Sequence, residues 1–391
     1  LYISVDAGDK WTKWTSGFPT VSVKDLVIHP REHDLVIGTF GRAAWVLDDI
    51  RPLRAIAKSK QVIANKIQLF SPPTAYQAAY QQPTGSRFGA DAMFHGENRG
   101  RGAQFTYLVN PVKALKEDKK DTDDDNAEAE TESSKNAIKW DSISLKLYNG
   151  DKLIRTLKRK VPEEKGLHKW TWYMDEKGGD RPSRTIRKQK RESGGVDVKP
   201  GTYKAVLEYG DQSSETMITV ASDPRLEVSA KNTDDVYAAL KEIQNMRQIA
   251  ADATKQLAKN KTLAEKYKTE LTALDKDKYK DQIKASKDII KEIDTLLDIY
   301  VGKQDKRQGI TKTLDVSVNN RLGGASWYTA TRQFGLTSTE HTLLQHAKTD
   351  LKAALDKTNR FFDETFKPYY QSIIKINMTK AIDEIKTFTL D

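Results

Sequence analysis

A chain of 391 residues without a single cysteine can do hydrolytic or metal chemistry only through histidines, carboxylates, hydroxyls and cations, and here those residues are poorly spaced for it. The chain has six histidines. His29 and His33 are four apart, but Pro30 and the surrounding strand-and-turn pattern deny them the shared helical face of a His-x-x-x-His metal pair. His341 and His346 are five apart on a predicted helix and therefore lie on different faces. With no carboxylate–histidine cluster at ligand spacing, neither a metal ion nor another cofactor is expected. Glycosidase chemistry needs two carboxyl groups about 5–10 Å apart across a cleft. Asp48 and Asp49 are adjacent in a strand-like run, so they point to opposite sheet faces and better suit capping the strand. Asp91 and Glu97 sit in a glycine-rich stretch that fixes neither. Phosphate loops, Gly-x-Ser-x-Gly elbows and dinucleotide fingerprints are absent, and the polar Gly96–Gly102 run is only a weak phosphate signal. No catalytic residue is therefore assigned.

The sharpest local pattern is structural. Ser4-Val5-Asp6-Ala7-Gly8-Asp9-Lys10-Trp11 matches S-x-D-x-G-x-x-W, the Asp-box, without a mismatch. Ser4 and Asp6 oxygens can accept backbone N–H groups in a tight turn, Gly8 permits a positive φ, and Trp11 can fold back as an apolar plug. These residues are consumed in holding a hairpin. Around them, Leu1–Val5, Lys13–Ser16, Val23–His29, Asp34–Thr39 and Ala44–Leu47 are short apolar or β-branched runs separated by turn residues, as in a propeller or sandwich. The opening Leu1-Tyr2-Ile3-Ser4-Val5 has no signal-peptide character, and the chain is expected to be a piece of something longer.

Taken with the Asp-box, the runs Val23–Pro30 and Asp34–Asp49 resemble the last blade of BNR/Asp-box β-propellers. More narrowly, the chain resembles the exported, sortilin (VPS10)-like propeller proteins of Bacteroidetes, which are often labelled glycosyl hydrolases. The resemblance implies a multidomain β plus α protein: residues 1–53 form the last propeller blade, 54–102 an extended connector, 103–222 an immunoglobulin/FlgD-like β-sandwich, and 223–391 an antiparallel helical bundle. It also implies an extracytoplasmic location, whether periplasm, outer membrane surface or medium. The partners it implies are the upstream blades of the same polypeptide and a protein or glycan ligand. Any catalytic acids of a hydrolase parent would line blades missing here, making this portion accessory, whereas a sortilin-like parent would capture peptides. Among Asp-box sialidases an arginine cluster binds substrate, and only Arg42 could be offered as such a residue.

The remaining elements follow from periodicity. Gln104–Val109, Ile143–Tyr148, Lys152–Leu157, His168–Trp172, Thr202–Tyr209 and Glu215–Val220 read as sandwich strands, with Tyr148-Asn149-Gly150-Asp151 as a hairpin turn. After Pro224 the period becomes helical. Val236, Leu240, Ile243 and Met246 begin one apolar face, Ile283, Ile290, Ile293 and Leu297 form a second, and Thr337-x-x-Glu340 is a capping box for a third helix. Gly309, Gly323-Gly324 and Gly335 are expected to break the bundle, with a short helix over 310–322. Trp327-Tyr328 reads as a packing anchor at a corner, with ligand stacking as the second role.

Net charge is +10 and the isoelectric point near 9.2, yet the charge is blocked. Residues 116–132 carry nine acids against three lysines, and 181–191 carry six bases and no acid. The loops 115–137 and 176–199 are expected to be solvated excursions of the sandwich, possible partners for each other. Lacking interleaved aromatics, the basic block is a poor nucleic-acid site. A mean hydropathy of −0.69 and no long apolar run argue against a membrane span.

Overall fold

The computed structural model describes residues 1–78, 99–112, 140–186, 191–303, 316–376 and 387–389. The chain is mixed β and α, with several sheets followed by a C-terminal helical region. It divides into two units, Leu1–Glu176 with Pro200–Glu227 and Lys177–Lys199 with Val228–Asp391.

The first unit opens with a hairpin of β1 (Tyr2–Ile3) and β2 (Thr12–Lys13). A separate antiparallel sheet follows, β3 (Val23–Ile28), β4 (Leu35–Thr39) and β5 (Ala44–Leu47), in that spatial order. Its register aligns Val27, Val36 and Val46 across the three strands. Helix α1 (Arg51–Lys58) starts with a proline in its first turn, where no N–H is needed, and buries Pro52 and Ile56.

The next residues are strand rather than bare connector. β6 (Ile67–Leu69) and β7 (Ala75–Gln77) come from the 54–102 region and join the same two sheets as β8 (Ala103–Val109), β9 (Ser142–Asn149), β10 (Lys152–Lys160) and β11 (Gly166–Trp172). Short strands β12 (Asp175–Lys177) and β13 (Gly194–Asp197) precede β14 (Gly201–Tyr209) and β15 (Gln212–Ser222). One sheet runs β10-β9-β14-β15-β7 and the other β11-β8-β6. β7 pairs with β15 in parallel, the one pairing of the sheet that a hairpin cannot supply.

Alternation builds the core. Tyr203, Ala205, Leu207 and Tyr209 of β14 are buried beside Ile143, Leu145 and Leu147 of β9. Trp172 of β11 meets Tyr203 of the other sheet edge-on at 5.7 Å, so the two sheets share one apolar interior. The β9–β10 turn pairs Asn149 with Lys152. Gly150 and Asp151 thus form the two-residue loop, with Gly150 at φ 57°.

In the second unit, α2 (Ala230–Asp275) is 46 residues long, about 69 Å at 1.5 Å per residue, with Ser229 as its cap. It is followed by α3 (Lys280–Val301), α4 (Val318–Ala330) and α5 (Ser338–Arg360). α5 continues through a π-helical turn, Phe361–Phe366, into α6 (Lys367–Ile374). Cross-links fix the directions: Lys261 to Asp294 at 2.7 Å, Arg321 to Asp350 at 2.8 Å, Lys348 to Glu242 at 2.6 Å and Ser286 to Tyr369 at 2.9 Å. α3 and then α4 descend antiparallel to α2, and α5–α6 returns beside them. The wider π turn directs Phe361, Phe362 and Phe366 all into the core.

Two expectations change here. Gly323 and Gly324 do not end a helix; they lie within α4, which a Ser317–Asn320 capping box starts. The described part of the basic loop is no solvated excursion of the sheets. It packs on α2, where the Asp180 N–H donates to Gln248 Oε1 at 2.8 Å and the Ser183 N–H to Thr254 Oγ1 at 3.3 Å. Arg184 pairs with Asp298 and donates to the Gly302 carbonyl, closing the C-terminus of α3 where a cation is favoured. The acidic loop 115–137 lies outside the described residues. Among the described residues no helix is long and apolar enough to cross a membrane.

Candidate functional site

The Ser4–Trp11 hairpin has the hydrogen bonds its sequence pattern requires. Ser4 Oγ donates to Asp6 Oδ1 at 2.8 Å and accepts from the Gly8 N–H at 2.8 Å, while Asp6 Oδ1 accepts from the Lys10 N–H at 3.0 Å. Gly8 takes φ 100°, open to glycine at little cost. The Lys10 N–H first, and the Ser4 hydroxyl second, hold the Asp6 carboxyl below its usual range. Trp11 departs from the expected plug. Its ring lies near Gly8, where an added Cβ would be 3.9 Å from the indole nitrogen, but the residue is 61% exposed. Beside this hairpin is a cavity of about 210 Å³ with apolar walls from Ile3, Val5, Trp14 and Leu53. Asp6 is the carboxylate on its lining, and it is already committed to the turn.

The carboxylates of the β3–β5 sheet converge on one arginine. Arg99 reaches Asp34 Oδ1 at 2.5 Å, Glu32 Oε2 at 3.3 Å and Asp48 Oδ1 at 3.8 Å. Asp48 is also 3.5 Å from Lys169. Asp49 leaves the strand at φ 54°, donates its N–H to Asp34 Oδ1 at 2.9 Å and accepts from Arg51 Nε at 2.6 Å. Burial pushes the Glu32 carboxyl up, but the Arg31 and Arg99 guanidinium groups outweigh it and leave it below its ordinary value. A general acid needs the opposite shift. This node therefore joins the end of β5 to the chain near Arg99, and Glu32 in it is not prepared to donate a proton.

The other residues singled out by sequence are dispersed. His29 Nδ1 accepts from the Glu32 N–H at 3.1 Å, and His33 Nδ1 is 3.2 Å from Arg54 Nη1. His341 and His346 are exposed on α5. No group of three metal-binding side chains occurs among the described residues. Arg42 is exposed in a turn between Gly41 at φ 78° and Ala43 at φ 57°, its carbonyl accepting from Trp45 Nε1 at 2.8 Å. Asp91 and Glu97 lie outside the described residues.

Trp327 and Tyr328 are not packing anchors. They are 64% and 43% exposed on α4 and meet edge-on at 4.9 Å. Phe334, just beyond the helix, is 63% exposed. A Cβ added at Gly323 or Gly324, one turn back, would meet nothing within 4 Å, so the surface on the N-terminal side of these rings is open. An exposed indole beside bare backbone can stack against a flat ligand or an apolar side chain. Sequence spacing gave no sign of the Arg99 node, whose partners lie more than 50 residues apart in the chain.

Comparison of the chain with models of known families, with curated proteins and with solved structures finds no match. Fold and local geometry alone therefore carry the functional reading.

Proposed function

We propose that this chain is the non-catalytic C-terminal portion of an exported, sortilin-like Asp-box propeller protein. Its two-sheet region acts as an immunoglobulin-like sandwich which, with the helical bundle, supports the propeller and offers a surface to a protein or glycan partner. The observation that carries this reading is the Ser4–Asp6–Gly8 hydrogen-bond pattern, placed just before a three-stranded antiparallel sheet. That sheet leaves Val27 54% and Val46 57% exposed, in register through Val36, an apolar row suited to a second sheet packed about 10 Å away. The ion pairs of Glu32, Asp34 and Asp48 with Arg99 favour the non-catalytic reading over an accessory region that lends acids to a glycoside hydrolase. Trp327, Tyr328 and the exposed Arg42 are the residues proposed to meet the partner.

Three measurements test this. The natural polypeptide, recovered from the envelope or medium of its host, should have an intact mass well above 44.2 kDa; a mature protein beginning at Leu1 would sink the propeller reading. The 391-residue chain should not hydrolyse a panel of aryl glycosides, and turnover would instead establish an enzyme. Trp327→Ala should change the unfolding free energy by no more than about 0.5 kcal/mol, as for an exposed side chain. The same substitution should lower retention on immobilised oligosaccharides or envelope protein at least severalfold, and unchanged retention would remove α4 from the binding surface.

A further inference from the structure

In the helical unit, two arginines occupy one neighbourhood and have no counter-ion among the described residues. Asp180 and Ser183 anchor their segment to Gln248 and Thr254 of α2, which lays the exposed Arg181, between those anchors, along the stretch of α2 that begins at Arg247. Arg247 is half-buried, and its hydrogen bond to the Leu322 carbonyl is long at 3.4 Å. Among the described residues, carboxylates of α2, α3 and α5 are committed elsewhere: Glu242 to Lys348, Asp298 to Arg184 and Asp350 to Arg321. Asp252 accepts from the Gln248 amide at 3.0 Å. Among the described residues neither Arg181 nor Arg247 pairs with any carboxylate, and Asp180, next to Arg181, pairs with neither. Burial first, and the Arg181 charge second, shift the Arg247 guanidinium below its ordinary pKa. Two like charges in one neighbourhood, one exposed and the other partly desolvated, repel unless an anion joins them.

We propose that Arg181 and Arg247 form a binding site for a doubly charged tetrahedral oxyanion, a phosphate or sulfate group. Two planar guanidinium forks supply parallel N–H donors matched to such a group. A dianion balances the pair, whereas a single carboxylate leaves one positive charge over. The group arrives either as the free ion or as an ester on a larger ligand, since both present the same oxygens.

The test is thermal melting of the full chain in sodium sulfate and in sodium phosphate, against acetate and chloride at matched ionic strength. Isothermal titration with the same ions accompanies it. Sulfate raises protein stability generally by exclusion from the surface, so the decisive comparison is with Arg181→Gln. At tenfold excess over its dissociation constant, the dianion should raise the wild-type midpoint by about 2–4 °C more than that of a variant that binds about tenfold more weakly. Titration should show affinity at least about tenfold weaker in Arg181→Gln. In chloride alone the variant should melt at the wild-type temperature or slightly above, because repulsion of Arg247 is relieved; this also confirms that it folds. An equal sulfate increment in both proteins, or an equal increment with acetate, overturns the site. Phenyl phosphate and a sulfated disaccharide separate the two sources: tighter binding than the inorganic ions assigns an esterified ligand, and equal binding assigns the free ion.

Discussion

Glu340→Ala should lower the stability of the helical unit by about 3 kcal/mol, through loss of a buried capping-box carboxylate and of the several hydrogen bonds it accepts. For a unit of this size that corresponds to a drop in melting midpoint of about 6–12 °C. The Glu340 side chain is 0% exposed. It accepts from the Thr337 N–H at 2.8 Å, from the Thr337 hydroxyl at 2.6 Å and from Arg332 at 2.8 Å. It therefore caps α5 and fixes the turn that carries Phe334 at once. Burial alone would push its carboxyl up, but the Thr337 donors and the Arg332 guanidinium hold it down at about 2. Because the folded value lies below the ordinary 4.5, this contribution is complete above about pH 4.5 and disappears as pH falls towards 2. Chemical denaturation across that window should show wild-type stability declining more steeply than that of Glu340→Gln, which keeps an amide oxygen for the Thr337 N–H but has no proton to gain. Parallel pH profiles would show that the carboxylate does not bear the load assigned to it.

That capping box was legible in the sequence because its partners are three residues apart and serve local backbone groups. The same holds for the Ser4–Trp11 turn and for β14, where Tyr203, Ala205, Leu207 and Tyr209 alternate inward. Features set by distant chain were not legible. β6 and β7 are three residues each, too short to show a period, and Pro72-Pro73 between them reads as a break. Their place is fixed by pairing with β8 and β15 far along the chain. In α4 the signal was present but masked by a stronger one. Val318, Leu322, Ala325 and Thr329 form a buried helical stripe, which leaves Trp327 and Tyr328 outward. The Gly323-Gly324 pair read instead as a breaker, because its helix propensity cost, about 1 kcal/mol per glycine, was set against no visible packing. Arg181 and Arg247 could not be paired from sequence at all, since only the docking of the 177–186 segment on α2 brings them together.

Trp172→Ala should be the most damaging single change in the first unit, at about 3–5 kcal/mol. Trp172 is 0% exposed and is the largest fully buried side chain. It sits at the end of β11 opposite Ala103, stacks edge-on against Tyr203 and donates its indole N–H to the Asp175 carbonyl at 2.8 Å. Truncation opens a cavity between the two sheets and leaves a carbonyl without its donor, and the two costs act together. Gly102 shows how tightly this spot is filled, because a Cβ there would come within 2.7 Å of the Trp172 carbonyl oxygen. Trp172→Phe separates the contributions. It keeps most of the ring volume but not the donor, so it should lose about 1–3 kcal/mol. Denaturant unfolding followed by far-ultraviolet circular dichroism can rank the two variants. If both cost the same, the local indole hydrogen bond to Asp175 rather than ring packing sets the cost; if neither exceeds about 1 kcal/mol, the two sheets do not share the core described here.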